Sequence, residues 1–440
     1  MSRSVRVIIG ILVGIILVLV IGGGLVWWKL AGLKEQLVAD LEKAIGAHVQ
    51  VASLDLDIFK GELHAAGITL TNERSAAPWQ KGDISQATVS FHLSDIFAPT
   101  MPVRVNVSSW NVILHSPLRT AETPPSATPS EATAPSSTPS KGRIQVTEIS
   151  AQTGTVQVDF SDDRKIVVHG VAFDASNNGA DVWTTQLQAT SLTAGSLEAG
   201  QSAVDIRGEQ GKVTFSNLRM QCGDGAVTGD GDVSLDEPHD ARMDLKAVNV
   251  PVTMLVAVQW QMKLTGQANG ELHYEGNDKG GGAKGQIAVN HGKFNVLPWI
   301  GKVTLMVGLP DISDVEVDKA TSDFNWKDGA LQLTNLDVRK EDVTRIAGEV
   351  DIDANGQVDG RLKLGLPSTI TSKWPQVQDK VFSVAFEDYN WAEVHLTGTS
   401  DHLQEDLTPR LLAAGLGTGS DLLNSAAQKA TDLFHSILGK

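Results

Sequence analysis

Two short patterns in the sequence place residues at spacings that phosphate or calcium binding would use. Gly280–Gly285, with the sequence GGGAKG, fits the glycine pattern of dinucleotide-binding loops, which requires a helix to follow directly. Gln286–Val289 continues with the alternation of a strand, so we interpret the glycines as a flexible hairpin loop. Asp351–Gly356 fits the first half of a calcium loop, but Leu362 stands where a bidentate glutamate is required. A hairpin turn is therefore the better interpretation of this second pattern.

The remaining candidates for catalysis or metal binding are isolated residues. None of the 11 histidines lies in an H-E-x-x-H pattern, and His395, on a predicted strand, is interpreted as a solvated side chain. Cys222 is the only cysteine, which excludes an intramolecular disulfide and a multi-cysteine zinc site. We interpret it as a small strand residue. No G-x-S-x-G pattern is present. The sequence therefore predicts a protein without enzymatic activity, without a cofactor and without a metal site.

The longest uninterrupted apolar stretch lies at the N-terminus. Val7–Trp28 carries no charged side chain, and at ~1.5 Å per residue such a helix crosses the ~30 Å core of a bilayer. Arg3 and Arg6 precede it, whereas Trp27 and Trp28 close it at interfacial depth. A cleaved signal peptide is the alternative, but its apolar region is shorter and ends in a small-x-small site that is missing here. We predict an uncleaved anchor that sends the rest of the chain across the membrane.

Composition limits the possible partners. The formal net charge is −16, and no block of Lys and Arg follows the anchor region, so nucleic-acid binding is excluded. A large exported chain without disulfides is compatible with a bacterial envelope.

Alternating apolar residues dominate the chain after a short helical segment. Ala31–Ile45 has helical spacing, and it is either a plug for one end of the following sheet or an ordinary surface helix. Strand-like alternation then runs to Ser116 and resumes from Ile144 to Leu366. Pro117–Gly142 is rich in Pro, Ser and Thr, which predicts a flexible linker whose removal leaves the stability nearly unchanged.

Turns and short helices punctuate the second strand region. Its seven Asn-Gly or Asp-Gly pairs are typical of tight hairpins. They are Asn178-Gly179, Asp224-Gly225, Asp230-Gly231, Asn269-Gly270, Asp328-Gly329, Asn355-Gly356 and Asp359-Gly360. Helices are predicted at Val252–Gln259, at Pro298–Val307 and, as a C-terminal amphipathic helix, at Leu422–Ile437.

One hairpin shows its apolar face most clearly. Its apolar residues are all even-numbered on both sides of Asn355-Gly356, so they share one face. These residues are Ile346, Val350, Ile352, Val358, Leu362 and Leu364. An antiparallel sheet must cover its apolar face. The face either packs against a second sheet as a sandwich or lines a trough that holds apolar ligands.

Two parts of the chain resemble the AsmA-like proteins of bacterial envelopes. The N-terminal resemblance rests on five segments: Leu41–Val51, Leu54–Gly61, Gly67–Asn72, Ala87–Phe97 and Pro102–Val107. The C-terminal resemblance covers Leu264–Leu366 and is clearest at Asn325–Leu333 and Gly348–Ile352. The domains expected from the resemblance and from the patterns are residues 1–29 as the anchor, 30–116 as an N-terminal module, 117–142 as the linker, 143–400 as a β-rich C-terminal module, and 401–440 as a helical segment.

The resemblance implies a bridge-like lipid carrier. The expected fold is mostly β: an N-terminal transmembrane helix, a long, curled, trough-like antiparallel sheet with few short helices, and a C-terminal amphipathic helix. The protein would be anchored in the inner membrane, with most of the chain in the periplasm, and would bind phospholipid acyl chains. A partner in the periplasm or outer membrane is also possible on this basis. The six even-numbered residues of the hairpin are the candidate lining of the lipid groove. The alternative is a tethered protein of β-sandwich domains that assists outer-membrane protein assembly.

Overall fold

The computed structural model describes thirteen parts of the chain. They are residues 48–57, 60–72, 79–92, 94–95, 100–116, 143–160, 165–178, 182–209, 211–256, 261, 264–293, 316–399 and 402–416. Several predictions lie outside them: the anchor with Val7, Trp27 and Trp28, the helix Ala31–Ile45, the linker Pro117–Gly142, the helix Pro298–Val307 and the C-terminal helix Leu422–Ile437. Within the described parts of the chain, no helix has the length and apolar character needed to span a membrane.

Strands make up most of the described chain, which confirms the prediction of a mostly β, largely antiparallel protein with few and short helices. The strands are β1 His48–Asp57, β2 Glu62–Thr71, β3 Trp79–Phe91, β4 Thr100–Ser116, β5 Arg143–Phe160, β6 Lys165–Asn177, β7 Trp183–Ala189, β8 Ser191–Ala194, β9 Leu197–Ala199, β10 Ser202–Glu209, β11 Lys212–Cys222, β12 Gly225–Ser234, β13 Ala241–Pro251, β14 Gln267–Asn277, β15 Gly280–Lys293, β16 Glu316–Lys327, β17 Ala330–Lys340, β18 Thr344–Ile352, β19 Gln357–Pro367, β20 Val384–Phe386, β21 Tyr389–Thr399 and β22 His402–Glu405. The helices are α1 Val252–Leu255, α2 Ser368–Thr371, α3 Pro375–Lys380 and α4 Leu407–Leu411, which a π-helical turn, Leu412–Leu416, follows.

The chain divides into two compact units. Unit 1 runs to Gly223 and includes Thr228–Ala241, whereas unit 2 comprises Asp224–Val227 and the chain from Arg242 onward. The predicted linker at residues 117–142 therefore falls inside unit 1, because the strands on either side of it, β4 and β5, pair with each other.

Unit 1 is built from strands that follow one another in sequence. β1 to β4 form an antiparallel meander, and β5 lies parallel to β4 before antiparallel pairing resumes with β6. β7 and β8 both pair with β6, β9 pairs with β8, and β10 pairs with β7 and β11.

Unit 2 contains an antiparallel meander from β14 to β19. β19 then pairs with β21 over eleven residue pairs, from Gln357–Thr399 to Pro367–Tyr389. β20 and β22 are short strands that pair with the first and last parts of β21, respectively. Helices α2 and α3 connect β19 to β20, and α4 follows β22.

The Asn-Gly and Asp-Gly pairs have two different roles. Asp328-Gly329 and Asn355-Gly356 form the predicted turns, with positive φ at Asp328, Gly329 and Gly356. In contrast, Asp230-Gly231, Asn269-Gly270 and Asp359-Gly360 lie inside strands, so the turn predictions were wrong there. At Gly360 the physical reason is space, because a Cβ atom would come within 3.0 Å of Leu396 on the neighbouring strand.

The glycine run at Gly280 is also a strand, which corrects the predicted hairpin loop. The turn comprises Asp278 and Lys279, and β15 begins at Gly280. Gly276 and Gly281 lie opposite each other, and Cβ atoms on them would come within 2.3 Å and 2.7 Å of the Tyr274 hydroxyl, respectively. The glycines therefore make room for the Tyr274 side chain.

Two hairpins, one in each unit, contain the same β-bulge. In β10–β11 the Asn217 side chain donates to Asp205 at 2.8 Å, and in β16–β17 the Asn335 side chain donates to Asp323 at 2.6 Å. Both asparagines have positive φ, 55° and 52°, and both lie at a register shift. A bulge of this kind increases the local twist of its strand.

Candidate functional site

The candidate site is the apolar face of the unit 2 sheet. Residues directly opposite each other in an antiparallel pair lie on the same face, so the strand registers define this face. We call its apolar side chains on β14 to β19 and β21 the unit-2 apolar face. The row nearest the described hairpin turns at Asp328-Gly329 and Asn355-Gly356 consists of Tyr274, Ala283, Trp326, Leu331, Ile352, Val358 and Gly398. The next row consists of Leu272, Gly285, Phe324, Leu333, Val350, Gly360 and Leu396.

These rows are almost entirely apolar. At a strand spacing of ~4.8 Å, seven strands span about 29 Å along the hydrogen-bonding direction. Further along the face, the Ser322 hydroxyl donates to the backbone oxygens of Asp323 and Thr334, and the Thr344 hydroxyl donates to that of Gly365. The face therefore offers apolar contact without an unsatisfied polar side chain at those positions.

Burial of this face differs between its two ends. Toward β19 and β21, Leu364 and Val394 have no exposed surface, because this part belongs to a cluster that includes Phe382 and Leu407 from the helical region. At β16, Trp326 keeps 40% of its surface exposed. Leu272, Tyr274, Phe324, Leu331 and Leu333 are only partly buried.

The six predicted lining residues lie together on the covered part of the face. Ile346 pairs with Leu364, and Ile352 pairs with Val358. Five of the six, Ile346, Val350, Val358, Leu362 and Leu364, are buried in the same cluster as α3 and α4 residues, and Ile352 packs against it partly buried. Their common face agrees with the even-numbered pattern. Their role as a lipid-groove lining stays a prediction.

The partly exposed lining residues on β16 and β17 were missed by the sequence analysis. Trp326 and Leu331 are cross-strand partners, as are Phe324 and Leu333. Their positions are even-numbered on β16 and odd-numbered on β17, whereas Leu336, beyond the bulge, is even-numbered again. The Asp328-Gly329 turn could have revealed them. It pairs Lys327 with Ala330, and this pairing determines which residues of β16 and β17 lie on the same face.

The opposite face of unit 2 carries charged side chains on β17 and β18. Arg345 donates from Nε to Asp337 at 2.8 Å and from Nη1 to Glu387 at 2.8 Å. Burial raises the pKa of Asp337, but hydrogen bonds from Arg339 and Arg345 outweigh it, and the pKa lies below its ordinary value. The hydrogen bond with Asp337 raises the pKa of Arg345 in turn. At β17 and β18 the sheet therefore has one charged face and one apolar face.

Unit 1 has an apolar face of the same kind. One register row crosses eight of its strands and consists of Leu54, Ala65, Ala87, Val107, Ala151, Phe173, Leu187 and Val204. Ala65, Ala87, Val107 and Ala151 are buried, whereas Leu187 and Val204 at the β7–β10 end are partly buried. Both units thus combine a closed core with a less covered stretch of apolar sheet.

The residues tested for metal binding have structural partners. Asp353 accepts hydrogen bonds from the backbone N–H groups of Asn355 at 2.8 Å and Gln357 at 2.9 Å, which closes the predicted turn. Leu362 faces the core, away from this turn. Among the described residues, no group of three or more His, Cys, Asp or Glu side chains could hold a metal ion.

His395 and Cys222 have the simple environments that their sequence contexts suggested. His395 is exposed on β21 and lies beside Asp406, with its backbone N–H 2.8 Å from that carboxylate. Cys222 is fully buried at the end of β11, and burial raises the pKa of its thiol. A thiol with a raised pKa is a poor nucleophile at neutral pH.

No protein-family model matches this chain, and no curated protein matches it.

Proposed function

We propose that this protein is an AsmA-like lipid carrier, anchored in the inner membrane by Val7–Trp28 with most of its chain in the periplasm. It would guide phospholipid acyl chains along the apolar faces of its sheets during envelope biogenesis. The observation that carries this proposal is the partly exposed stretch of the unit-2 apolar face on β14 to β17, where Trp326 is 40% exposed.

The energetics of such a face favour an apolar ligand. Each CH₂ group of an acyl chain that leaves water gains ~0.8 kcal/mol. Contiguous exposed apolar surface on a folded protein marks a binding site more often than it marks idle surface. The absence of charged side chains in the two rows described above lets a chain shift along the face without breaking hydrogen bonds.

The burial pattern indicates where on unit 2 the lipid would lie. The clustered residues of α3, α4 and the segment between α3 and β20 already cover the part around Leu364 and Leu366, which have no exposed surface. A ligand would therefore contact Tyr274, Phe324, Trp326 and Leu331, with Ile352 at the margin of the covered part.

The fully buried clusters favour a second candidate, a tethered interaction protein that assists outer-membrane protein assembly. In unit 1, Val49, Leu70 and Val89 are at most 1% exposed, as in the core of a closed sandwich. This candidate needs no lipid, so lipid occupancy separates the two.

The test compares three aspartate substitutions in the full chain. Trp326→Asp places a charge on the exposed part of the face and should abolish co-purifying phospholipid while the thermal transition is kept. Asn325→Asp places the same charge on the neighbouring residue, on the opposite face, and should change neither property. Leu364→Asp buries an unpaired carboxylate, which costs several kcal/mol, so it should unfold unit 2.

Mass spectrometry of extracted lipid and differential scanning calorimetry provide the two measurements. Full lipid content in Trp326→Asp would contradict the lipid-carrier proposal. A parent protein that purifies without lipid and does not take up fluorescent phosphatidylethanolamine from vesicles would favour the interaction protein.

A further inference from the structure

A second exposed apolar surface lies on the opposite face of unit 2, at the hairpin formed by β20 and β21. Val384 and Phe386 are 60% and 62% exposed, the highest values among the large apolar residues of the described chain. They lie opposite Trp391 and Tyr389, respectively, so all four side chains share one face. We call these four residues the β20 patch.

The β20 patch is held in place by several contacts. The Trp391 indole N–H donates to the backbone oxygen of Phe386 at 3.2 Å, and the Tyr389 and Trp391 rings lie 5.9 Å apart. The guanidinium carbon of Arg345 lies 5.7 Å from the centroid of the Trp391 ring. A Cβ atom on Gly365 would come within 3.1 Å of that ring, which therefore lies directly over the backbone of β19. The exposed residues thus project from a rigid base.

β20 also offers a strand edge. Among the described residues it pairs with β21 alone, through Val384, Ala385 and Phe386. Glu387 and Asp388 close the hairpin, and in a two-residue hairpin the pair that flanks the turn exchanges hydrogen bonds. The N–H and C=O groups of Ala385, one residue further, therefore point to the outer edge. An extended segment could pair with this edge while its side chains contact the patch.

Acidic side chains surround the patch. Glu387 and Asp388 form the turn, and the charges of Asp342 and Glu341 act on Tyr389. Arg345 and Arg339 are the cations that act on Tyr389, but both pair with Asp337, and Arg345, whose side chain is only 19% exposed, also pairs with Glu387. The rim therefore presents net negative charge to a ligand.

We propose that the β20 patch docks an extended segment of a partner protein that carries two apolar residues two positions apart, with Lys or Arg two positions before and after them, so that all four side chains share the face turned toward the patch. The apolar residues would cover Val384 and Phe386, the backbone would pair with the outer edge of β20, and the cations would face the acidic rim. A second copy of this chain is a poor occupant, because it carries the same acidic rim and a net charge of −16. An anionic membrane surface is disfavoured for the same electrostatic reason.

The test measures binding of two labelled peptides to the full chain in phosphatidylcholine discs. One peptide carries Lys, Val, Val and Lys at every second position with Thr between them, and in the other peptide Glu replaces the two Lys residues, with fluorescence anisotropy as the readout. The Val/Lys peptide should bind, more weakly as salt rises, and the Val/Glu peptide should not. Equal binding of both peptides, or of neither, would overturn the proposal.

Two variants locate the binding site. Phe386→Ser removes the larger apolar contact and should weaken binding about tenfold or more, as truncation of an aromatic anchor does. Ala385→Pro removes the outward N–H without removing a hydrogen bond to β21 and should weaken binding similarly. Trp326→Ser, which changes an exposed aromatic residue on the other face, is the matched control and should bind as the parent does.

The same variants exclude the other occupants. If sedimentation velocity shows that the parent is a dimer and that Phe386→Ser is a monomer, the occupant is a second copy and the proposal is wrong. If the parent binds phosphatidylglycerol vesicles and Phe386→Ser does not, the occupant is a membrane, and the proposal is equally wrong. Wild-type peptide affinity in both Phe386→Ser and Ala385→Pro would also overturn it.

Discussion

At the scale of single residues, the bulge asparagines show how a local backbone requirement shapes the unit-2 apolar face. Asn335 has a φ of 52°, a conformation that side chains other than Asn and Asp adopt at a cost of ~1–2 kcal/mol. Its side chain donates to Asp323 at 2.6 Å. The bulge shifts the side-chain phase of β17, so that Leu333 and Leu336 both reach the apolar face.

Asn335 should therefore tolerate glycine better than a β-branched residue. Asn335→Val loses the hydrogen bond and acquires backbone strain, so we expect the free energy of unfolding of unit 2 to fall by about 2–3 kcal/mol. Asn335→Gly loses the hydrogen bond alone and should cost about 1 kcal/mol. Asn325→Val, the same change at an exposed extended residue, is the control and should be nearly neutral. Urea titration measures all three, and equal losses in the two Asn335 variants would contradict the strain argument.

Arg345 provides a second prediction at this scale. Its planar guanidinium contacts Asp337, Glu387 and the Trp391 ring at once, which an ammonium group cannot reproduce. Arg345→Lys should lower the stability of unit 2 by about 1–3 kcal/mol. Arg339→Lys, at a side chain that is 52% exposed and also pairs with Asp337, should cost less than about 1 kcal/mol. Chemical denaturation measures the free energy of unfolding of both variants. An equal decrease in the two would show that the three-way contact of Arg345 does not contribute to stability.

At the scale of elements, the parallel pairing of β4 and β5 sets a condition on the chain that joins them. Thr100 pairs with Arg143 and Ser116 pairs with Phe160, so Ser116 and Arg143 lie at opposite ends of the strand pair. At ~3.3 Å per residue this separation is about 50 Å. Parallel neighbours require such a long crossover, whatever its conformation.

The connection between β4 and β5 should therefore tolerate changes of sequence but not of length. A Gly/Ser segment of equal length in place of residues 117–142 should leave the thermal transition of unit 1 unchanged. A connection shorter than about 15 residues cannot span the distance, so we expect loss of the β4–β5 pairing and of unit 1 stability. Calorimetry of both variants tests this. An intact transition after complete removal, which the sequence analysis expects from composition alone, would show that β4 and β5 do not pair in parallel.

The elements also show why the sequence predicts some features and misses others. Period-two alternation predicts the common face of Ile346, Val350 and Leu364, because β18 and β19 pair without a register shift and the three residues 354–356 between Asp353 and Gln357 leave even-numbered residues opposite even-numbered ones. It does not predict where that face is covered, because burial by α3 and α4 depends on contacts distant in sequence. Glycine is the other source of error, since the pairs at Gly231, Gly270 and Gly360 have the composition of turns but lie inside strands, where Gly270 and Gly360 leave room for neighbouring atoms.

At the scale of the whole molecule, hydrogen bonds in the folded state stabilise the ionised form of several aspartate side chains. The backbone N–H of Glu341 lowers the pKa of Asp318, and that of Gln357 lowers the pKa of Asp353. At Asp406, burial raises the pKa, but hydrogen bonds from His395 outweigh it and leave the pKa lowered. Each group, together with Asp337, therefore favours the folded state when it is ionised.

The sign of the pH dependence follows from these shifts. A carboxylate with a lowered pKa contributes its full stabilisation above the unfolded value of about 3.9, and loses it as pH falls through the folded pKa. We expect the melting temperature to fall below about pH 4 as these aspartates become protonated. In Asp353→Asn the fall should be shallower, because one of the titrating groups is gone. A melting temperature that rises as pH falls below about 4 would contradict the assignment.

The last prediction concerns the topology of the whole chain. Arg3 and Arg6 precede the apolar stretch Val7–Trp28, and cationic residues at one end of a membrane helix stay on the cytoplasmic side. Alkaline phosphatase fused after Lys440 should therefore be active, since it folds only outside the cytoplasm, and the purified protein should keep its N-terminus. Replacing Arg3 and Arg6 by Glu removes the orienting charge, so the share of active fusion should fall. N-terminal sequencing that begins after Trp28 would show a signal peptide. An inactive fusion on an intact chain would place both units in the cytoplasm and remove the periplasmic route on which lipid transfer between membranes depends.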